Sequence, residues 1–231
     1  MRSPPNALML FAAGLGTRMG ALSQIRPKPL IEVSGKALID HALELIDAAE
    51  IARIVVNLHY LPDQIRAHLA GRNIRFSDET DTLFDTGGGL KNALPLLGAG
   101  PVFTLNTDAV WTGANALVEL RTTWDPDRMG GLLHLVPRHL ATGHKGAGDF
   151  AMDAGGRLTR GQDFVYTGAQ ILDPTGLAQI SDRTFSLNRL WDAMLAEERL
   201  FGTVHSGGWC DVGHPPAIAL AEALLHETAN V

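Results

Sequence analysis

Ala7-Leu8-Met9-Leu10-Phe11-Ala12-Ala13-Gly14-Leu15-Gly16-Thr17-Arg18-Met19 carries an apolar run straight into two glycines and a basic residue. The run is too short to cross a bilayer and leads into Gly-Leu-Gly-Thr-Arg instead of a cleavage site, so it reads as a buried strand. Glycines directly after a strand let backbone N–H groups approach phosphate oxygens without interference from a Cβ. A phosphate cradle at Ala13, Gly14, Gly16 and Thr17, with Arg18 beside it, is one reading; an ordinary glycine-rich turn is the other. A dinucleotide-binding fingerprint fails, because Met19 stands where the third glycine belongs and Gly20 comes one residue late. A Walker A loop fails as well, because Ala37 follows Gly35-Lys36 where Ser or Thr is required.

Outward from this loop, the apolar runs Arg53–Leu58, Ile74–Phe76 and Val102–Asn106 alternate with segments of helical spacing. Leu38, Ala42, Leu45, Ile46 and Ala49 mark one such segment, and Ile65 with Leu69 the next. The alternation predicts an α/β fold with an open, doubly wound, mixed but mostly parallel sheet. Such sheets bind ligands outside the carboxyl ends of their strands, which here are the loops beginning at Ala13 and Thr107. After Gly130 the extended runs shorten (Leu132–Val136, Asp149–Met152, Tyr166–Leu172), which predicts mixed sheet. Helical stretches at Ser186–Glu197 and Pro215–His226 flank Leu200–Val204 and the tight run Gly207-Gly208-Trp209-Cys210-Asp211-Val212-Gly213. Neither a linker nor an internal repeat interrupts the 231 residues, so a single domain over 1–231 is expected.

Composition narrows the function classes. Hydrophobic residues make up 45% and charged residues 19%, the proportions of a globular protein. The net charge of -6 comes with no long basic run, which argues against a partner nucleic acid duplex. Cys210 is the single cysteine, which excludes a disulfide framework or zinc ribbon and fits the cytoplasm, with no membrane association. His134, His139 and His144 are spaced by five, neither a helical i, i+4 pair nor H-E-x-x-H, and read as structural or solvated. The glycines around His144-Lys145 suggest a mobile loop, and the tryptophans read as core or interface residues.

In Arg26-Pro27-Lys28-Pro29-Leu30 two prolines stiffen the backbone around one lysine. Ala12-Ala13-Gly14-Leu15-Gly16-Thr17-Arg18-Met19, then Pro27-Lys28-Pro29-Leu30, then Val33-Ser34-Gly35-Lys36 together resemble the opening signature of the sugar-1-phosphate nucleotidyltransferase family. Three further segments extend the resemblance over nearly the whole chain. Asp85-Thr86-Gly87-Gly88-Gly89 is similar to the family's base-contacting loop, Asn106-Thr107-Asp108 to its N-G-D metal motif, and Trp209-Cys210-Asp211-Val212-Gly213 to its W-x-D-V-G. The resemblance implies a Rossmann-like (GT-A-like) nucleotidyltransferase domain, its nucleotide part about 1–112 and its sugar part about 113–231. It implies a Mg²⁺ ion held by Asp108 and Asp211, and catalytic roles for Arg18, Lys28 and Asp108. Ala13, Gly14, Gly16, Thr17, Arg18, Lys28, Thr86, Gly87 and Gly88 would contact the nucleotide, and Asn106, Asp149, Tyr166 and Gly168 the sugar.

Read without the resemblance, Asp108 is a turn or helix-cap residue before Ala114–Leu120, Asp149 and Asn106 are local caps, and Tyr166 is core. The short length, the Thr-Gly-Gly-Gly loop, Val110-Trp111 and Gly148-Asp149-Phe150 look most like the family's uridylyltransferases for N-acetylmuramate 1-phosphate, which serve peptidoglycan recycling. Thr107 stands where the family has glycine, Asp85 where it has glutamate, and Gly20-Ala21-Leu22-Ser23 replaces the usual spacer. Thr107 is expected to narrow the space for the sugar. Guanylyl transfer to mannose or heptose 1-phosphate is the alternative, and a non-catalytic sugar-nucleotide sensor the alternative of another class. The expected partners are a nucleoside triphosphate and a sugar 1-phosphate, on a monomer or homodimer.

Overall fold

The computed structural model describes residues 5–229, so the first four and last two positions of the expected domain lie outside the described residues. In the first half, β1 (Ala7–Phe11), α1 (Leu22–Ile25), β2 (Glu32–Val33), β3 (Lys36–Ala37), α2 (Leu38–Ala48), β4 (Arg53–Leu58) and α3 (Pro62–His68) follow in order. They lead into β5 (Ile74–Asp78), α4 (Asp85–Leu97), β6 (Val102–Asn106), β7 (Ala109–Trp111) and α5 (Ala116–Thr123). The second half holds β8 (Gly131–Pro137), β9 (Ala141–Thr142), β10 (Phe150–Met152), β11 (Leu158–Arg160) and β12 (Phe164–Leu172). It ends with α6 (Asn188–Ala196), β13 (Leu200–Val204), β14 (Trp209–Asp211) and α7 (Pro216–Ala229).

One nine-stranded sheet in the order β11-β10-β12-β6-β1-β4-β5, with β8 and β13 attached through β12, crosses both halves of the chain. It is the mixed sheet expected, but its parallel ladders do not predominate. The β1·β4, β1·β6, β4·β5 and β8·β13 ladders are parallel; β6·β12, β8·β12, β10·β12 and β10·β11 are antiparallel. The strand β1 is central, so both its faces are covered, and that is why its sequence is a continuous apolar run without alternation.

Successive β1 side chains sort onto the two faces. Leu8 and Leu10 pack with α2 residues Ile39, Ala42 and Ile46 and α5 residues Leu117 and Leu120. Ala7 and Met9 pack instead with α4 residues Leu90, Ala93 and Leu97 and α6 residues Leu190 and Met194. Burying each such side chain contributes on the order of 1.5–3 kcal/mol. The N-terminus of α5 is capped by Asn115, whose side chain accepts the amide hydrogens of Leu117 and Val118. Asp108 therefore does not cap that helix.

Two local departures from the sequence reading matter for the site. Asp85-Thr86-Gly87-Gly88-Gly89 forms the first turns of α4 where a loop was expected, with Asp85 at φ 60°. Its glycines exist for close packing. A Cβ on Gly87 would lie 2.5 Å from the Phe185 ring, one on Gly88 2.1 Å from the Arg183 carbonyl oxygen, and one on Gly89 2.7 Å from a Glu79 carboxylate oxygen. The strand β12 slips register against β8 between Tyr166 and Gln170, and Gly168 in that irregularity takes φ 93°. A separate small sheet, β7-β14-β9, joins the segment after β6 to the late tight run.

Candidate active site

The loops after β1 and β6 border a cavity of about 450 Å³ lined by Ala13, Gly14, Lys28, Thr86, Asn106 and Asp108 among others. This is the position that an open α/β sheet reserves for ligands. The loop after β1 is pinned from below. The Ala12 amide donates to Asn57 Oδ1 at 2.8 Å, and Asn57 Nδ2 donates to Glu79 Oε1 at 2.8 Å. Glu79 Oε2 accepts the Phe84 amide hydrogen at 3.2 Å, which ties the cavity's far wall to the same carboxylate. Burial pushes the Glu79 carboxyl above its ordinary range, with the Asn57 and Phe84 hydrogen bonds opposing that rise. Neither Asn57 nor Glu79 was picked out by sequence reasoning; the available signal was a polar residue inside the apolar run of β4.

Gly16 has φ 64°, and a Cβ there would come within 3.0 Å of the Lys28 Cβ, so the glycine lets the lysine segment lie against the loop. Thr17–Met19 form a single tight helical turn that leaves Thr17 and Arg18 exposed and buries Met19. Pro27 and Pro29 are buried on either side of Lys28. The Lys28 Nζ lies 2.8 Å from Asp108 Oδ2, with side chains 12% and 31% exposed.

The small sheet brings Asp211 to the same place. The strand β14 pairs antiparallel with β7 with Asp211 opposite Ala109, and the Val212 amide donates to the Asp108 carbonyl oxygen at 2.8 Å. Burial raises the Asp211 carboxyl above the ordinary carboxylate range, and the charge of Asp108 raises it further. Lys28, Arg18 and His144 pull it down, so three charged groups and one imidazole act on this one carboxylate. A Cβ on Gly213 would meet the Asp211 carboxylate at 3.0 Å and Arg18 at 3.4 Å, so this glycine leaves room for both side chains. Two neighbouring carboxylates, each interacting with the other's charge, are a hard-oxygen donor set that fits a divalent cation of the magnesium class. His144, which was read as a loop residue, has its Nε2 buried and without a hydrogen-bond partner.

The remaining sequence-predicted residues separate. Gly87 and Gly88 both donate their amides to the Phe185 carbonyl oxygen, at 2.9 and 3.0 Å, so they are packing residues whose amides are taken. Thr86 stays on the cavity wall, where its Oγ1 accepts the Leu187 amide hydrogen at 3.0 Å. Asn106 lies against the β12 irregularity: a Cβ on Gly168 would stand 2.9 Å from Asn106 Cβ, so the glycine makes room for the asparagine. Asp149 accepts the Tyr166 amide hydrogen at 2.9 Å, and the Tyr166 ring sits edge-on to Trp191 with centroids 5.0 Å apart. Burial drives the Tyr166 hydroxyl far above its ordinary range. Tyr166 and Asp149 thus brace β12, and neither lines the cavity. Thr107 is buried and donates its hydroxyl to the Phe11 carbonyl oxygen at 2.8 Å, joining the ends of β1 and β6.

Comparison with known proteins places the chain in a family. The chain is 42% identical over 242 residues to the N-acetylmuramate alpha-1-phosphate uridylyltransferase of Caulobacter vibrioides, covering 98% of this chain and 100% of that protein. It is 32% identical to the protein of the same name in Neisseria meningitidis serogroup B, covering 94% and 96%. A solved structure described as a putative glucose-1-phosphate thymidylyltransferase from Bacillus anthracis shares the fold, with a TM-score of 0.78 at 16% identity and 94% of both chains covered. With residues 8–142 matching the MobA-like NTP transferase domain and the two curated relatives spanning nearly the entire sequence, the chain belongs to the MobA-like NTP transferases, among the sugar-1-phosphate nucleotidyltransferases.

Proposed function

We propose that the chain transfers a uridylyl group from UTP to N-acetylmuramate 1-phosphate, giving UDP-N-acetylmuramate and pyrophosphate for peptidoglycan recycling. The observation that carries the reading is the ion pair of Lys28 with Asp108, beside Asp211, at the mouth of a cavity walled by the glycine loop. The choice of UTP and the amino-sugar acid is supported by the 42% identity that runs the full length of the Caulobacter vibrioides relative.

A phosphate oxygen of the sugar 1-phosphate attacks the α-phosphorus, a new P–O bond forms, and the bond to the β-phosphate oxygen breaks as pyrophosphate leaves. The attacking phosphate is already ionised near neutral pH, so no protein base is needed. Bringing two polyanions together is a matter of positioning and charge neutralisation. Ala13 and Gly14 on the cavity wall, with Gly16 and Thr17 next along the same loop, would supply the backbone for the triphosphate, and Asp85 and Thr86 line the same cavity. Arg18 offsets the charge that leaves with pyrophosphate. Lys28 leaves its Asp108 contact to bridge the α-phosphate and the incoming sugar phosphate. Asp108 and Asp211 would hold Mg²⁺, which would supply charge neutralisation for the reacting phosphates. Asn106, on the cavity wall beside Gly168, would contact the sugar.

The chain acts as a monomer or homodimer, and the nucleotide part over about 1–112 and the sugar part over about 113–231 act as one catalytic domain. No helix among the described residues is long and apolar enough to cross a membrane. A reaction that consumes a nucleoside triphosphate fits the cytoplasm.

The test is pyrophosphate release with UTP and GTP, each against N-acetylmuramate, N-acetylglucosamine and mannose 1-phosphates. Release that is fastest with UTP and N-acetylmuramate 1-phosphate is expected. Faster release with GTP and mannose 1-phosphate would replace the substrate assignment, and nucleotide binding without any release would end the enzymatic one.

A further inference from the structure

Glu119 of α5, His134 of β8 and His205 just past β13 converge, and no step of nucleotidyl transfer uses them. Glu119 Oε2 lies 2.9 Å from His134 Nε2 and 2.8 Å from His205 Nδ1. One ligand atom from each of the three residues lies within 4.8 Å of the others. Both imidazole side chains are fully buried, while the glutamate keeps 20% of its side chain exposed.

The outward-facing nitrogens decide what the inward-facing ones present. His205 Nε2 faces the Thr112 carbonyl oxygen at 3.1 Å, and a carbonyl only accepts, so Nε2 carries a hydrogen. His134 Nδ1 faces Thr167 Oγ1 at 3.2 Å, and that hydroxyl donates its proton to the His134 carbonyl oxygen at 3.0 Å, so Nδ1 is the donor in the contact. Each neutral ring therefore turns a lone pair toward the same carboxylate oxygen. Three electron-rich atoms at such distances require something positive among them, either one proton per ring or a metal ion. Two imidazoles whose second nitrogens donate to a carbonyl and a hydroxyl, with one carboxylate completing the set, have the outer hydrogen bonding typical of metal-binding histidines. The other carboxylate oxygen, Glu119 Oε1, is occupied by the Ser206 hydroxyl at 2.6 Å, which orients Oε2 inward. Glu119 also lines a surface groove with Val118, Thr122 and Thr203, which gives an ion a way in and a water a place as fourth ligand.

We propose that Glu119, His134 and His205 form a second metal site that takes a zinc-class divalent ion and not magnesium. Nitrogen donors favour that choice, because magnesium prefers all-oxygen coordination. Ligand atoms around a tetrahedral zinc stand roughly 3.3 Å apart, given bonds of about 2.0–2.2 Å, so each ring nitrogen moves about half an ångström away from the Glu119 oxygen on binding. Filling the site displaces the protons that the rings otherwise hold against Glu119, so uptake releases protons to solvent. The location gives the ion a structural task. Thr112 follows β7 and His205 lies shortly before β14, whereas Asp108 precedes β7 and Asp211 ends β14, so the two sites occupy opposite ends of one two-stranded ladder. An ion at Glu119 clamps the end of that ladder remote from the reaction.

The test uses the full-length protein, stripped with chelator and kept in excess Mg²⁺, titrated with Co²⁺ and then Zn²⁺. One equivalent of Co²⁺ is expected to give visible d–d absorption that Zn²⁺ abolishes, with a matching rise in melting temperature. The absorption should persist in Asp211→Asn, vanish in His205→Gln, and need roughly 10- to 100-fold more metal in Thr167→Val, where the hydroxyl's contacts with the His134 ring and carbonyl are lost and every ligand is kept. Circular dichroism checks that each variant is folded. Wild-type protein that gives no absorption with tenfold excess Co²⁺ overturns the proposal, as does absorption lost in Asp211→Asn or retained in His205→Gln. Should His205→Gln fail to fold, the wild-type titration decides, together with nitrogen NMR of the rings: His205 carrying protons on both nitrogens in the presence of Zn²⁺ also overturns it.

Discussion

Lys28 and Asp108 neutralise each other across 2.8 Å, and both are only partly exposed, so each keeps the other at the site until a phosphate or a cation takes over the contact. Replacing either removes one electrostatic stabiliser of the transition state. Lys28→Ala and Asp108→Ala are each expected to lower kcat by on the order of 10²-fold or more, measured by pyrophosphate release, with the fold unchanged by circular dichroism. Asp211 makes a different prediction, because burial and the charge of Asp108 raise its carboxyl above the usual range. A group shifted in that direction favours the folded state below its unfolded pKa and loses that contribution as pH rises through the folded value. Without metal, Asp211→Asn is therefore expected to melt above the wild type near pH 7.5, with the advantage shrinking near pH 4. Mg²⁺ should raise the melting temperature of the wild type and not of the variant; a metal-dependent rise that survives in Asp211→Asn would remove the residue from the metal site.

Among the elements, the irregularity in β12 is the most exacting. Gly168 adopts φ 93° and leaves no room for a Cβ beside Asn106, so Gly168→Ala combines backbone strain with a displaced side chain on the cavity wall. The expected cost is about 1–3 kcal/mol of stability, read by urea unfolding, and a KM for sugar 1-phosphate that rises more than the KM for nucleotide. The strands themselves were legible in the sequence. Arg53–Leu58, Val102–Asn106 and Leu200–Val204 have the limits that their apolar runs suggest, because a short buried strand bounded by turn residues leaves a local signature. The start of α4 was not legible. Three successive glycines read as a loop, and only the approach of Phe185, Arg183 and Glu79 from distant segments explains why a helix carries them. Asn57 and Glu79 were hidden for a related reason, since the β4·β5 pairing brings them together and nothing in their spacing announces it. The histidines were judged by local spacing, which is blind to a cluster assembled from a helix, a strand and a turn.

At the scale of the whole molecule, one nine-stranded sheet runs through both halves of the chain, with β12 pairing β6 from the first half and β8 from the second. The halves share one set of hydrogen bonds and one pair of covering helix layers, so they are expected to unfold together. Calorimetry should show a single transition, with calorimetric and van't Hoff enthalpies equal. A nucleotide held at a hundred times its dissociation constant adds about 2.7 kcal/mol, which for a chain of this size lifts that transition by roughly 5–10 °C. Two separate transitions, only one of them moved by nucleotide, would mean that the halves are independent.

The mutual grip of Lys28 and Asp108 also couples the order of events at the site. A lysine parked on an aspartate shields it from an arriving cation, and the same contact withholds the lysine from an arriving triphosphate. Whichever guest comes first must prise the pair apart, and the second then finds its partner already released. Thermodynamic reciprocity makes the help equal in both directions: whatever factor the ion adds to nucleotide affinity, nucleotide returns to the ion.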